Sequence, residues 1–213
     1  DTWLWVFQAI SGMIILITGP SGAGKSSFLR AGLLPRLREE RHWAVLALRP
    51  GARPFAALAR RLLSSEGYRV EGPTLPPRER SAELGEALEA QPLRLGLELA
   101  RLAEAQQTPV LLVVDQTEEL FTHDCSAETV EAFFSALLGA ADEAQEPVRV
   151  VFSLREDFLH RLPASLALRD ALGQLLVLGP PSRSALESIL RRPVALAGYR
   201  YDDPSLVEEM LEV

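Results

Sequence analysis

The chain has 213 residues, 47% of them hydrophobic, enough for one large α/β domain or a core of about 170 residues with a smaller appendage; a tail or linker is excluded. A net charge of −7 and a pI near 5.1 leave no basic footprint for neutralising phosphates, so this segment is not expected to bind nucleic acid. The single cysteine, Cys125, cannot close an internal disulfide, and no pair or cluster has metal-ligand spacing, so zinc is excluded and a reducing, cytoplasmic setting fits.

The apolar opening, residues 3–18, is broken by Gln8 and Ser11 and is shorter than the ~20 residues of a spanning helix. It reads as core rather than membrane. A chain that starts on Asp1 and stops at Val213 inside a helical pattern is expected to be cut from a longer protein. Residues 13–18 form an Ile-rich strand, followed by a glycine loop and a helix from Lys25 to about Arg38. A second strand spans 43–48, with Arg49-Pro50-Gly51 as its turn and a helix over 54–63 that has Pro54 at its first position. Residues 66–78, with three prolines and two glycines, read as loop. Helices over 79–90 and 92–106 lead to 110–115, a continuous apolar run that fits a central parallel strand. A helix over 128–141, N-capped by Ser126, precedes strands at 148–153 and 174–178.

Strands separated by helices imply right-handed crossovers and an open, parallel, five-stranded sheet covered by helices on both faces. After Gly179-Pro180-Pro181 only helical patterns follow, at 182–192 and from Pro204. A boundary is therefore expected near Gly179, dividing an α/β domain (1–179), whose glycine loop is read next as a nucleotide-binding element, from the start of a helical lid (180–213).

Gly19-Pro20-Ser21-Gly22-Ala23-Gly24-Lys25-Ser26 matches G-x-x-x-x-G-K-[ST] between a strand and a helix, which is the P-loop arrangement. Glycines let backbone N–H groups turn toward a β-phosphate, and the helix N-terminus adds partial positive charge. Lys25 reaches β and γ oxygens, Ser26 ligates Mg²⁺, and Ser27 extends the phosphate cradle. Arginine outnumbers lysine 21 to 1, so the one lysine falls where a slim ammonium is needed between phosphates. Asp115 closes the run Val110-Leu111-Leu112-Val113-Val114 as a Walker B carboxylate, expected on a strand next to the P-loop strand and able to hold the water shell of magnesium.

Gln116, Glu118 and Glu119 compete to orient and deprotonate the attacking water. Glu118 is favoured and Glu119 is second; the remaining reading has both merely capping a helix start. Arg155, just past the fourth strand, can approach a γ-phosphate or pair with Glu156 or Asp157. Pro180 can pack on a nucleotide base or serve as a plain hinge. His42, His123 and His160 lack metal spacing and read as loop or surface residues.

These segments together resemble one family. The P-loop running into Ser27-Phe28-Leu29-Arg30-Ala31-Gly32-Leu33-Leu34-Pro35, then Arg49-Pro50-Gly51-Ala52-Arg53-Pro54, then Asp115-Gln116-Thr117-Glu118-Glu119-Leu120-Phe121 resemble the STAND class of AAA+-related signal transduction ATPases. The similar branch is the bacterial one often joined to WD40 repeats. Ser153-Leu154-Arg155-Glu156-Asp157-Phe158 and Pro193-Val194-Ala195-Leu196-Ala197-Gly198 fit that branch, whereas Thr117 stands where it usually has Phe. The resemblance implies an MgATP-driven switch whose nucleotide state controls assembly, with Arg155 as sensor arginine and Asp115 as Walker B. It also implies effector and sensor-repeat domains elsewhere in the parent chain, and a nucleotide-dependent homo-oligomer. A small-molecule kinase, or a binding module without hydrolysis, are the competing readings. GTP is disfavoured because the N-K-x-D guanine motif needs a lysine beyond Lys25.

Overall fold

The computed structural model describes residues 14–40, 43–68, 76–141, 147–163, 175–203 and 205–212. The apolar opening through Met13, His42, most of the 66–78 loop, Gln174 and Pro204 lie outside them. Five strands form one sheet: β1 (Ile14–Gly19), β2 (Ala44–Leu48), β3 (Val110–Val114), β4 (Val148–Arg155) and β5 (Leu175–Val177). Every pairing is parallel and the order is β2-β3-β4-β1-β5. The expected open five-stranded parallel sheet is thus the observed one.

Alternate side chains of a strand point to opposite faces, and both faces of the strands β1, β3 and β4 are buried almost throughout. Ile14 and Leu16 of β1 join Val110, Leu112 and Val114 of β3 in one core, while Ile15, Ile17, Leu111 and Val113 belong to another. The second core is closed by helix α1, which starts as α-helix over Lys25–Ser27, widens to π geometry over Phe28–Leu33 and returns to α over Leu34–Glu40. Its Leu29, Leu33, Leu34 and Leu37 are buried there. A regular helix from Lys25 was expected. Pro35 gives a reason for the departure: its ring has no N–H and crowds the carbonyl four residues back in a straight helix, and the wider turn immediately precedes it.

The first core is closed by α2 (Pro54–Leu63), α3 (Pro77–Ala90), α4 (Arg94–Gln106), the short α5 (Glu119–Thr122) and α6 (Ala127–Ala140). Pro54 opens α2 as its sequence predicts. Ser126 caps α6 by accepting the Thr129 N–H at 3.2 Å, which satisfies one of the four orphan donors of a helix start. Helix α4 approaches α6 closely enough that a Cβ on Gly96 would sit 3.2 Å from the Gly139 carbonyl oxygen.

Two sequence expectations are corrected here. The strand carrying Asp115 does not adjoin the P-loop strand: β4 lies between β1 and β3, because the chain returns from β3 to fill the position beside β1. The helix expected over 182–192 runs on through Pro193 as α7 (Arg183–Leu196). It starts on a Ser182 cap that accepts the Ala185 N–H. Helix α8 (Ser205–Leu211) follows. No helix among the described residues is long and apolar enough to cross a membrane.

Candidate functional site

At the carboxyl ends of the strands, β1 turns into the glycine loop. Gly22 and Gly24 take φ of 80° and 85°, left-handed values that a side chain disfavours. Gly19 is required for another reason: a Cβ there would lie 2.1 Å from the Leu178 carbonyl oxygen, against backbone that cannot yield. The loop is closed by the Ala23 N–H on the Pro20 carbonyl at 3.3 Å, and the Phe28 N–H reaches the Gly24 carbonyl at 2.7 Å. Ser21, Gly22 and Gly24 face solvent. Pro180 is also exposed, two residues beyond the Leu178 backbone that abuts Gly19.

Lys25 is buried, and its ammonium donates to the carbonyls of Gly19 and Pro20, both at 2.8 Å. Burial lowers its pKa from the ordinary lysine value; the Glu118 carboxylate is the strongest opposing influence, and Arg155 adds to the lowering. The sole lysine is therefore held under the loop by main-chain oxygens, with Glu118 and Arg155 inside its electrostatic surroundings.

Ser26 Oγ donates to Asp115 Oδ1 at 2.8 Å, spanning the two-strand separation between β1 and β3. From the intervening strand, Ser153 Oγ donates to the same oxygen at 2.9 Å and accepts the Gln116 N–H at 2.9 Å. Ser153 is fully buried, and its carbonyl takes the Thr117 N–H. Sequence reasoning overlooked this residue; the signal was a lone hydroxyl in the apolar run Val150-Val151-Phe152-Ser153-Leu154. Thr117 itself is wholly buried, and Gln116 adopts a left-handed φ of 59°.

The other carboxylate oxygen, Asp115 Oδ2, is buried without a hydrogen-bond partner. Arg30 Nη2 lies 3.0 Å from it and Arg49 Nε 3.8 Å. These are charge contacts outside hydrogen-bonding alignment, so Oδ2 retains its lone pairs. An orphaned carboxylate oxygen beside a serine hydroxyl suits Mg²⁺, which takes one or two protein oxygens and completes its shell with phosphate and water. Among the described residues no group of three or more His, Cys, Asp or Glu could hold a metal.

The two glutamates part company. Glu118 Oε2 accepts the Arg155 N–H at 3.3 Å, beside the tip of β4 and the P-loop. Glu119 Oε2 accepts the Gly51 N–H at 3.0 Å, tying α5 to the turn after β2. Arg155 is the last residue of β4, in register with Gly19, rather than past the strand. Its guanidinium is paired with Asp157 at 2.6 and 3.1 Å and lies over the Phe158 ring. His123 Nδ1 lies 3.0 Å from the Glu119 carbonyl oxygen, and His160 is exposed in the short 3₁₀ turn Glu156–Arg161.

The family model for nSTAND1, "Novel STAND NTPase 1", matches residues 6–213. No curated protein matches the sequence significantly. Among solved structures, the chain is similar to the Aeropyrum pernix ORC1 protein in complex with DNA, with TM-score 0.62 and 18% identity over 98% of this chain and 52% of that one. It is also similar to Cdc6p from Pyrobaculum aerophilum, with TM-score 0.58 and 17% identity over 89% and 46%. A third is the replication initiator DnaA bound to AMPPCP and single-stranded DNA, with TM-score 0.56 and 14% identity over 97% and 54%. At such identities the likeness is one of fold. The chain spans about half the length of these solved chains.

Proposed function

The chain belongs to the novel STAND NTPase 1 family, and from that premise we propose that it is the ATP-binding, slowly hydrolysing switch module of a larger signalling protein, its nucleotide state controlling assembly. The observation that carries this reading is the pairing of two features at one loop. A buried sole lysine is held by the carbonyls of Gly19 and Pro20, and a metal-competent carboxylate is held by Ser26.

Entry of a triphosphate gives the Lys25 ammonium oxygen partners of full negative charge in place of two neutral carbonyls. The N–H groups of Ser21 through Ser27 wrap the phosphates, with Pro20 shaping the turn. Mg²⁺, when bound at Ser26 and Asp115, would offset charge on the β and γ oxygens. Glu118 acts as general base, taking a proton from the attacking water; Glu119, committed to the Gly51 N–H, positions the turn instead. Arg155 leaves Asp157 to meet the γ-phosphate, a local exchange of one charge-assisted partner for another.

Slow turnover follows from what covers the nucleotide. Helix α7 buries none of its residues and β5 is part-exposed, which supports a nucleotide left loosely covered on the Pro180 side. A loosely contacted γ-phosphate reacts slowly, since phosphoryl transfer depends on positioning and charge. Further domains, and other copies of the parent chain, are the partners proposed to complete the site. Although two of the solved relatives are complexed with DNA, a net charge of −7 opposes phosphate-backbone binding by this segment.

The decisive experiment pairs calorimetry with phosphate release in the absence of any acceptor. The chain should bind MgATP and release phosphate slowly, and a folded Lys25→Ala variant should lose most of the affinity. Unchanged affinity in that variant would overturn the reading, and phosphate transfer only to an added small molecule would make the protein a kinase.

A further inference from the structure

Ser26 and Arg30 are four residues apart on α1, so both side chains lie on one face of the helix. Both end on Asp115: Ser26 on Oδ1, Arg30 on Oδ2. Arg30 falls within the π-helical stretch that interrupts the helix, and the second arginine, Arg49, comes from the end of β2 to the same oxygen. The two arginine side chains are half-exposed, while Asp115 is nearly inaccessible. A buried carboxylate needs compensation whenever no cation is bound, and Oδ2, the oxygen that faces these arginines, is the one left without a hydrogen bond.

We propose that Arg30, backed by Arg49, is a resident counter-ion of the metal carboxylate, so that divalent-cation binding and the Arg30–Asp115 contact exclude each other and Arg30 sets the magnesium concentration at which the site becomes loaded. This rests on the nucleotide-site reading above. A divalent cation at Asp115, held directly or through its water shell, and a guanidinium on the Oδ2 side of the same carboxylate repel each other, so loading the metal drives the guanidinium away. The displacement is feasible because Arg30 has solvent on its other side; a buried arginine would have nowhere to go. Arg30 is accordingly a positioning residue that acts through Asp115. It opposes the metal, the reverse of an arginine that contacts phosphate and favours the loaded state.

The test measures Mn²⁺ binding by electron paramagnetic resonance to the ADP-loaded chain, with ADP affinity measured separately in EDTA. Arg30→Gln should tighten Mn²⁺ binding by about fivefold, the size expected for removing one partly exposed ion-pair partner. Arg30→Lys, which keeps the charge, should return the Mn²⁺ affinity toward that of the unaltered chain. Arg49→Gln should tighten it by less, in line with its longer contact. Unchanged or weaker Mn²⁺ binding in Arg30→Gln, with ADP still bound in EDTA, would overturn the counter-ion role while leaving the nucleotide site standing. Failure of the unaltered chain to bind ADP under any condition would remove the nucleotide-site reading and this inference with it.

Discussion

Replacing Glu118 by Gln keeps the side chain's shape while removing its capacity to take a proton. Its Oε2 meets the Arg155 N–H at 3.3 Å, a long bond that an amide oxygen can accept as well, so MgATP affinity should change by less than about threefold. The hydrolytic step should instead slow by about 10²-fold or more, the usual size of a lost general base, which corresponds to roughly 2.7 kcal/mol of barrier. Glu119→Gln provides the internal comparison, because its Oε2 is engaged by the Gly51 N–H at 3.0 Å and Gln preserves that acceptor. Its hydrolysis rate should stay within about threefold of the unaltered chain. Single-turnover hydrolysis with protein in excess over labelled ATP, alongside calorimetric affinities, separates chemistry from binding. If Glu119→Gln shows the rate loss and Glu118→Gln does not, the assignment of the base is wrong and the Glu118 contact with Arg155 is structural.

Gly19→Ala should destabilise the chain by about 1–3 kcal/mol and abolish nucleotide binding, since its Cβ would fall 2.1 Å from the Leu178 carbonyl oxygen; urea unfolding and calorimetry check both, and a fully stable, nucleotide-binding variant would refute the packing. Ser153→Ala should cost about 1–3 kcal/mol in the ligand-free protein, because it strips a buried donor from Asp115 Oδ1 and the acceptor from the Gln116 N–H; a loss indistinguishable from zero by urea unfolding would show that the network is unimportant. Lys25, the only lysine, gives a single ¹⁵Nζ resonance, whose titration in the ligand-free protein should fall below the ordinary lysine value because burial disfavours the charge. A folded-state pKa below the unfolded one means that the folded state binds fewer protons. The corresponding stability is therefore complete only above pH 10.5 and declines as pH falls through the folded value; triphosphate binding should raise that pKa, and no change on adding MgATP would argue against a phosphate contact.

Much of the fold is legible because its signals are local. The run Val110-Leu111-Leu112-Val113-Val114 is apolar at every position and becomes β3, buried at every position; Pro54 and Ser126 mark helix starts that the structure keeps. The order of strands is not local. Nothing in β4's own residues states that it slots between β1 and β3, because an apolar strand satisfies either neighbour and the choice is made by the crossover path of the whole chain. The site divides in the same way. Lys25 and Ser26 are set by a contiguous motif, whereas Ser153, Arg30 and Arg49 acquire meaning only when three separate segments meet at Asp115. The π turn of α1 also escapes a 3.6-residue periodicity, since Leu29, Leu33 and Leu37 sit four apart and satisfy a regular helix equally well.

The placement of β4 bears directly on the chemistry. As the strand between β1 and β3, it supplies the Ser153 hydroxyl to the carboxylate and Arg155 at its own tip, in register with Gly19. It also brings the Arg155 N–H to Glu118, so the candidate base and the candidate γ-phosphate ligand are joined through one residue of one strand. A shift of β4 along its axis would therefore move Arg155 and the Glu118 anchor together while altering the Ser153 support of Asp115. Under the proposed roles, a γ-phosphate taken up by Arg155 would act on the same strand that supports Asp115 through Ser153 and that leads into the 3₁₀ turn whose Phe158 stacks on Phe121.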